Sequence, residues 1–191
     1  MSTTTLRSLS FEDAATHVDE GAAFVDLRDV ESYLDVHIPA SLELFYEAGP
    51  GLPSRARDCI PLEWPLVLLD LGTGDAAHTA AGLRGKGFDV VGSVADGINA
   101  WARARGTTPA STELVRGGDT PDGLLLDVGD PGTVGVTDAL RIPVERLWSR
   151  RDEVAGDRIV VAAGYAIRAA LAVGLLERAG HSDIVVWKTR A

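Results

Sequence analysis

The stretch PLVLLDLGTGDAAHTAAGLRGKGFDVVGSVADGINAW, residues 65–101, decides the fold. Pro65–Leu69 is a short apolar run of the kind a buried strand shows. It stops at Asp70, and the glycine-bearing loop Leu71-Gly72-Thr73-Gly74 follows. From Asp75 the period becomes helical, with Ala76, Ala80 and Leu83 on one stripe, and Gly85 and Gly87 close the helix. Phe88–Val94 is a second strand, and Gly97–Arg105 is a further helix carrying Trp101. A strand that runs into a tight loop at a helix N-terminus gathers backbone N–H groups, and the helix dipole there favours negative charge. Asp70 ends the strand and stands at the base of that cradle.

Toward the N-terminus, Ser10 caps a helix with Asp13 in its first turn, and Gly21 ends it. Ala22–Val25 is a strand, followed by DLRDVESYLDVHIPAS, residues 26–41. Asp26 and Arg28 are expected to form an ion pair that ties the turn after the strand to the body. His37 precedes Ile38-Pro39 in a turn, as a structural or a catalytic histidine. Glu43–Arg57 is predicted helix with a break at Gly49-Pro50-Gly51-Leu52-Pro53. Cys59 follows in a connector before Pro61, with no evident base partner nearby. Such a lone cysteine behaves as a small buried hydrophobe, and it is not expected to carry sulfur.

These two segments resemble a rhodanese domain. The family has a strand ending in Cys, then x-x-Gly-x-Arg-Ser, two small residues, Leu-x-x-x-Gly-Phe, a strand, and Gly-Gly-x-x-x-Trp. Leu83–Phe88 matches, and Asp96–Trp101 matches with Asp for the first Gly. The family's N-terminal half carries Asp-x-Arg, Glu, an aromatic and Gly-His-Ile-Pro-Gly-Ala. Asp26, Arg28, Glu31, Tyr33, His37, Ile38 and Pro39 fit, while Val36 and Ala40 stand where Gly is usual. The resemblance places Asp70 where the family has its nucleophilic cysteine, and Asp75-Ala76 where it has Arg-Ser.

The polar, breaker-rich Gly106–Thr112 is the expected linker, and past it the pattern repeats. Gly123–Asp127 echoes Ala22–Asp26, and Arg158–Ala163 echoes Pro65–Asp70. Ala166–Ala179 is a strongly apolar helix and Asp183–Trp187 a strand. Leu176 lies 93 residues after Leu83, and Ala163 lies 93 after Asp70. The nucleophile position of the second unit therefore holds Ala163, and Arg168 falls on the arginine of the family loop, beyond Tyr165. This unit is more degenerate. Gly129 stands where an arginine would follow Asp127, Asp138–Pro143 replaces His-Ile-Pro, and no closing Gly-Gly-x-x-x-Trp helix follows. The expected fold is α/β: two rhodanese-like units, each a small parallel sheet with helices on both faces, the second truncated and degenerate. The division is 1–107 and 108–191.

Composition narrows the function classes. The 191 residues are 46% hydrophobic, enough for real cores. Eighteen basic against 28 acidic residues give a net charge of −10, which argues against a nucleic-acid partner. No apolar run reaches the ~20 residues of a membrane span, and MSTTTLRSLSFEDAATHVDEG has no apolar signal region. One cysteine excludes an internal disulfide and a Cys-rich zinc site. A cytoplasmic location without cofactor or metal is the expectation; the oligomeric state is left open.

What the resemblance implies is sulfur transfer through a loop persulfide, and the residues withdraw it. A persulfide needs a polarizable thiolate; Asp70 cannot form one, and Ala163 has no functional group. Two classes stay open. One is a rhodanese-fold pseudoenzyme that binds a small anion or a protein partner through its former active-site loops. The other is an enzyme that has reused the pocket for non-thiol acid–base chemistry at Asp70, with residual sulfur transfer as a further alternative. Asp70 either folds its carboxylate into the cradle or faces a pocket as acid, base or nucleophile. His78, one helical turn past Asp75, joins it as a catalytic candidate. Gly72, Thr73, Gly74, Asp75, Arg28, His37, Tyr165 and Arg168 are the candidate ligand-binding residues, gathered where the two units face each other.

Overall fold

The computed structural model describes residues 5–45, 51–70, 75–106, 108–129, 137–164 and 166–188. The first sheet comprises β1 (Ala23–Asp26), β2 (Leu42–Glu43), β3 (Leu66–Asp70) and β4 (Val90–Ala95) in the order β2-β1-β3-β4. The second comprises β5 (Glu113–Arg116), β6 (Leu124–Asp127), β7 (Leu140–Arg141), β8 (Arg158–Ala162) and β9 (Asp183–Lys188) in the order β5-β9-β8-β6-β7. Every pairing is parallel. The internal repeat is visible in the register: Asp26 lies opposite Leu69, and Asp127 lies opposite Ala162. The next residues are Asp70 and Ala163, as the 93-residue offset requires.

The second sheet's edge strand β5 begins directly after the expected linker Gly106–Thr112, where the sequence reading places no strand. Its counterpart in the first unit is a single parallel bridge, Ser8 to Ser93, beside β4. Both sheets thus begin with an N-terminal segment on the same edge.

The helices are α1 (Phe11–Asp19), α2 (Val30–Asp35), α3 (Leu52–Cys59), α4 (Asp75–Gly85), α5 (Gly97–Arg105), α6 (Val144–Leu147), with a 3₁₀ turn over Trp148–Glu153, and α7 (Ala166–Arg178). Ser10 caps α1 by accepting from the Asp13 N–H at 3.0 Å. Asp96 adopts φ 53° where the family has a glycine, a left-handed conformation that Asp tolerates.

One expected element is replaced. Glu43 does not begin a helix: Leu42–Glu43 pairs with Val25–Asp26 as β2, and the Leu44 N–H donates to the Asp26 carbonyl at 2.8 Å. Leu42, Glu43 and Leu44 are all fully buried, and three residues are too few to compete with the helical reading. The helix starts only at Leu52, with Pro53 in its first turn where a missing N–H costs nothing. Residues 46–50, including part of the predicted break, lie outside the described residues.

The core passes from one sheet into the other. A single cluster includes Leu66, Leu68 and Leu83 of the first unit and Val161, Leu171 and Leu176 of the second. The helix α7 is the common element, with Ala169–Leu176 buried throughout. A helix apolar on all sides is one packed on all sides, and α7 lies against β2 as well as against its own sheet. On the opposite face of the first sheet, Phe24, Val67 and Leu69 pack under α1 and α5. The corresponding face of the second sheet is a strand-only cluster of Val160, Ala162 and Trp187 with Val115 and Leu125.

Candidate site at the junction of the two units

At the end of β1 the Asp26 carboxylate is fully buried. It accepts from the Arg28 backbone N–H at 3.0 Å, from Arg28 Nε at 3.0 and 3.1 Å and from Nη2 at 2.7 Å. Arg28 Nη2 also donates to the Val36 carbonyl at 2.5 Å. The pair is the expected structural tie, and these bonds turn the Arg28 guanidinium to the body of the unit. The second unit rebuilds the same tie from another place. Asp127 accepts from the Gly129 N–H at 2.9 Å and from Arg141 Nε and Nη2 at 3.0 and 2.8 Å. The arginine missing at position 129 is thus supplied across the β6–β7 pair.

His37 is fully buried. Its Nδ1 lies 2.9 Å from the Tyr33 carbonyl and its Nε2 3.0 Å from Glu177 Oε1, on α7 of the other unit. Glu177 Oε2 accepts the Ala40 N–H at 2.7 Å. Ala40 takes φ 63° where the family has glycine, a conformation that costs a β-carbon-bearing residue about 1–2 kcal/mol. The Glu177 carboxylate therefore holds the His37–Ala40 turn from across the junction. Arg28 and His37 are engaged in holding this turn and this junction together.

Asp70 ends β3 half-buried, Asp75 opens α4 half-buried, and His78 is exposed on α4. The candidate loop residues Gly72, Thr73 and Gly74, and Tyr165 in the second loop, lie outside the described residues. Ala163 is buried after β8. Arg168, in the first turn of α7, pairs with Glu145 of α6 at 2.7 Å.

The structure brings a different acid into this region. Glu43 is fully buried at the end of β2. Its Oε1 accepts the Phe45 N–H at 2.9 Å, and its Oε2 has no hydrogen-bond partner among the described residues. Burial pushes its carboxyl up to about 8, against the pull of the Arg55 guanidinium on α3, so Glu43 is largely neutral at pH 7. Burial also lowers Arg55 from its usual value, while Glu43 and Cys59 act to raise it and Arg168 to lower it. Sequence reading missed Glu43, Arg55, Glu145 and Glu177. The one local signal was a carboxylate set between two leucines, Leu42 and Leu44.

Cys59 is buried beside this cluster. Desolvation, and then Glu145, push its thiol up to about 12. About one molecule in 10⁵ is then a thiolate at pH 7. After incubation with thiosulfate, the intact mass of the folded protein is expected to be unchanged. A stoichiometric persulfide on Cys59 would contradict the burial described here.

Among the described residues no group of three or more His, Cys, Asp or Glu side chains is arranged to hold a metal, and no helix is long and apolar enough to cross a membrane.

No protein-family model matches the chain. It is 33% identical over 101 residues to the thiosulfate sulfurtransferase GlpE of Pseudomonas savastanoi pv. phaseolicola, across 53% of this chain and 89% of that protein. Among solved structures, SseA from Escherichia coli, described as a 3-mercaptopyruvate sulfotransferase of rhodanese fold, is 16% identical, with 98% of this chain and 99% of that one covered at a TM-score of 0.44. A complex of EanB with hercynine is 11% identical, with 97% and 59% covered at a TM-score of 0.48.

Proposed function

We propose, for a chain that belongs to the rhodanese superfamily, that it has given up sulfur transfer and binds a small anion or a protein partner through its former active-site loops. The proposed units are residues 1–107 and 108–191, and the loops are Asp70–Asp75 and Ala163–Arg168. One observation carries this reading: the strand-end positions that match the family's cysteine hold Asp70 and Ala163, so neither unit can form a loop persulfide. Cys59 is no substitute, being buried and barely ionised. What the loops keep is a helix N-terminus following a strand, which favours anions with or without a nucleophile. A cytoplasmic site of action belongs to the same reading.

The test is thiocyanate formation from thiosulfate and cyanide. Wild type is expected to show none, and Asp70→Cys alone is expected to show none either. Asp75 opens the helix where the family loop has its arginine. A negative charge there raises the pKa of an introduced thiol and repels thiosulfate. Turnover is expected in Asp70→Cys combined with Asp75→Arg and Ala76→Ser, which restores both the thiol and the arginine of the loop. Turnover by wild type would overturn the reading. Turnover by the single variant would show that the remaining loop substitutions are neutral.

A further inference from the structure

Among the described residues, the buried polar atoms without a hydrogen-bond partner include Glu43 Oε2, Arg55 Nε and Arg55 Nη2. A buried donor or acceptor left unmade costs about 1–3 kcal/mol, and native folds hold few of them. Glu43 and Arg55 sense each other electrostatically. Yet among the described residues no ion pair within 4.0 Å joins them. The obvious partner for each is the other, and they are held apart.

We propose that Glu43 and Arg55 form the two sides of a binding site for a small carboxylate, seated between the Glu43 carboxyl and the Nε–Nη2 edge of the Arg55 guanidinium. The proposal rests on the small-anion reading above and gives that anion its own residues, on β2 and α3 rather than on the loops. The Nε–H and Nη2–H bonds point the same way from one planar edge, the fork that two oxygens of a carboxylate accept. Neutral Glu43 donates its proton to an oxygen of the ligand through Oε2, while Oε1 stays held by the Phe45 N–H. Charge agrees with this. With Glu43 neutral and Arg168 balanced by Glu145 at 2.7 Å, Arg55 is the cation that acts on Glu43. The other charged groups around Glu43 are Asp26, itself tied to Arg28, and Asp29. Both are carboxylates that oppose its ionisation.

The pH response follows from the proton on Glu43. Above pH about 8 the carboxyl ionises and faces the ligand as a like charge. Affinity then falls by up to tenfold per pH unit.

The experiment is calorimetric titration of the full chain with acetate, malonate and lactate, with sulfate as a tetrahedral comparator, between pH 6 and 9.5. Wild type is expected to bind a carboxylate more tightly than sulfate and to lose affinity above pH 8. Glu43→Gln keeps a neutral donor and is expected to bind with a flat pH profile. Arg55→Lys keeps the charge without the fork and is expected to weaken binding at least tenfold. Circular dichroism on both variants confirms that they are folded. A carboxylate that binds wild type and both folded variants alike, with the same pH profile, would overturn this site and leave anion binding at the loops standing. No binding of any anion would overturn both.

Discussion

Gly174→Ala is expected to lower the thermal midpoint by about 6–12 °C, the opposite of what a helical Gly→Ala change usually does. In a helix open to solvent, alanine is favoured over glycine by about 1 kcal/mol. Gly174 lies in the middle of α7 where the helix crosses the turn before β2. A β-carbon there would run into the Ser41 carbonyl oxygen, with the Ser41 carbonyl carbon at 3.0 Å and the Tyr33 hydroxyl at 3.1 Å. The obstacle is backbone, so no side chain can swing aside. The helix has to retreat from β2. That loosens the Tyr33 hydroxyl from the Ser41 carbonyl and pulls Glu177 away from His37 and Ala40. A cost on the order of 3 kcal/mol is reasonable for overpacking at a buried contact. At this chain length each kcal/mol moves the midpoint by about 2–4 °C. Gly85→Ala is the control: it closes α4 with nothing within 4 Å of an added β-carbon. It is expected to leave the midpoint unchanged or slightly raised. A Gly174→Ala protein that behaves like Gly85→Ala would mean that α7 does not seat against the first unit.

The second large effect is a pH dependence of stability carried by Glu43. Its carboxyl is raised from 4.5 to about 8 in the folded chain, chiefly by burial. A raised carboxyl holds its proton in the native state at a pH where the unfolded chain has released it. The stability this contributes is fully present below pH about 4.5 and is lost as pH rises toward 8. Each pKa unit is about 1.4 kcal/mol, so the loss over this interval is on the order of 5 kcal/mol. Asp29 works in the opposite sense, since hydrogen bonds from Ser32 lower it, but it is largely exposed and its share is small. Urea unfolding of wild type is expected to show falling stability from pH 5 to 8. Glu43→Gln cannot ionise, and its stability should stay nearly level over that range, crossing above wild type by pH 8. Parallel profiles for the two proteins would mean that Glu43 ionises freely and is not buried as described.

Whatever depends on near neighbours in the chain is legible in the sequence. The apolar run ending at Asp70, the helical stripe of Ala76, Ala80 and Leu83, and the Asp26–Arg28 spacing each carry their signal within one turn or one strand. The 93-residue repeat carries that signal into the second unit and puts Asp70 and Ala163 at matching positions where a strand ends. Tertiary structure alone decided the rest, because it depends on partners far along the chain. Two residues, Leu42 and Glu43, are too few to show a strand period and become one only through pairing with Val25 and Asp26. Arg141 takes the place of an arginine absent from position 129 because β7 lies beside β6. Gly174 matters only because Ser41 is there, and Glu177 holds a turn 140 residues away. Glu43 is an unusual acid for the same reason. Its chemistry is set by desolvation, and a residue's neighbours in sequence do not say how much water its carboxyl will keep.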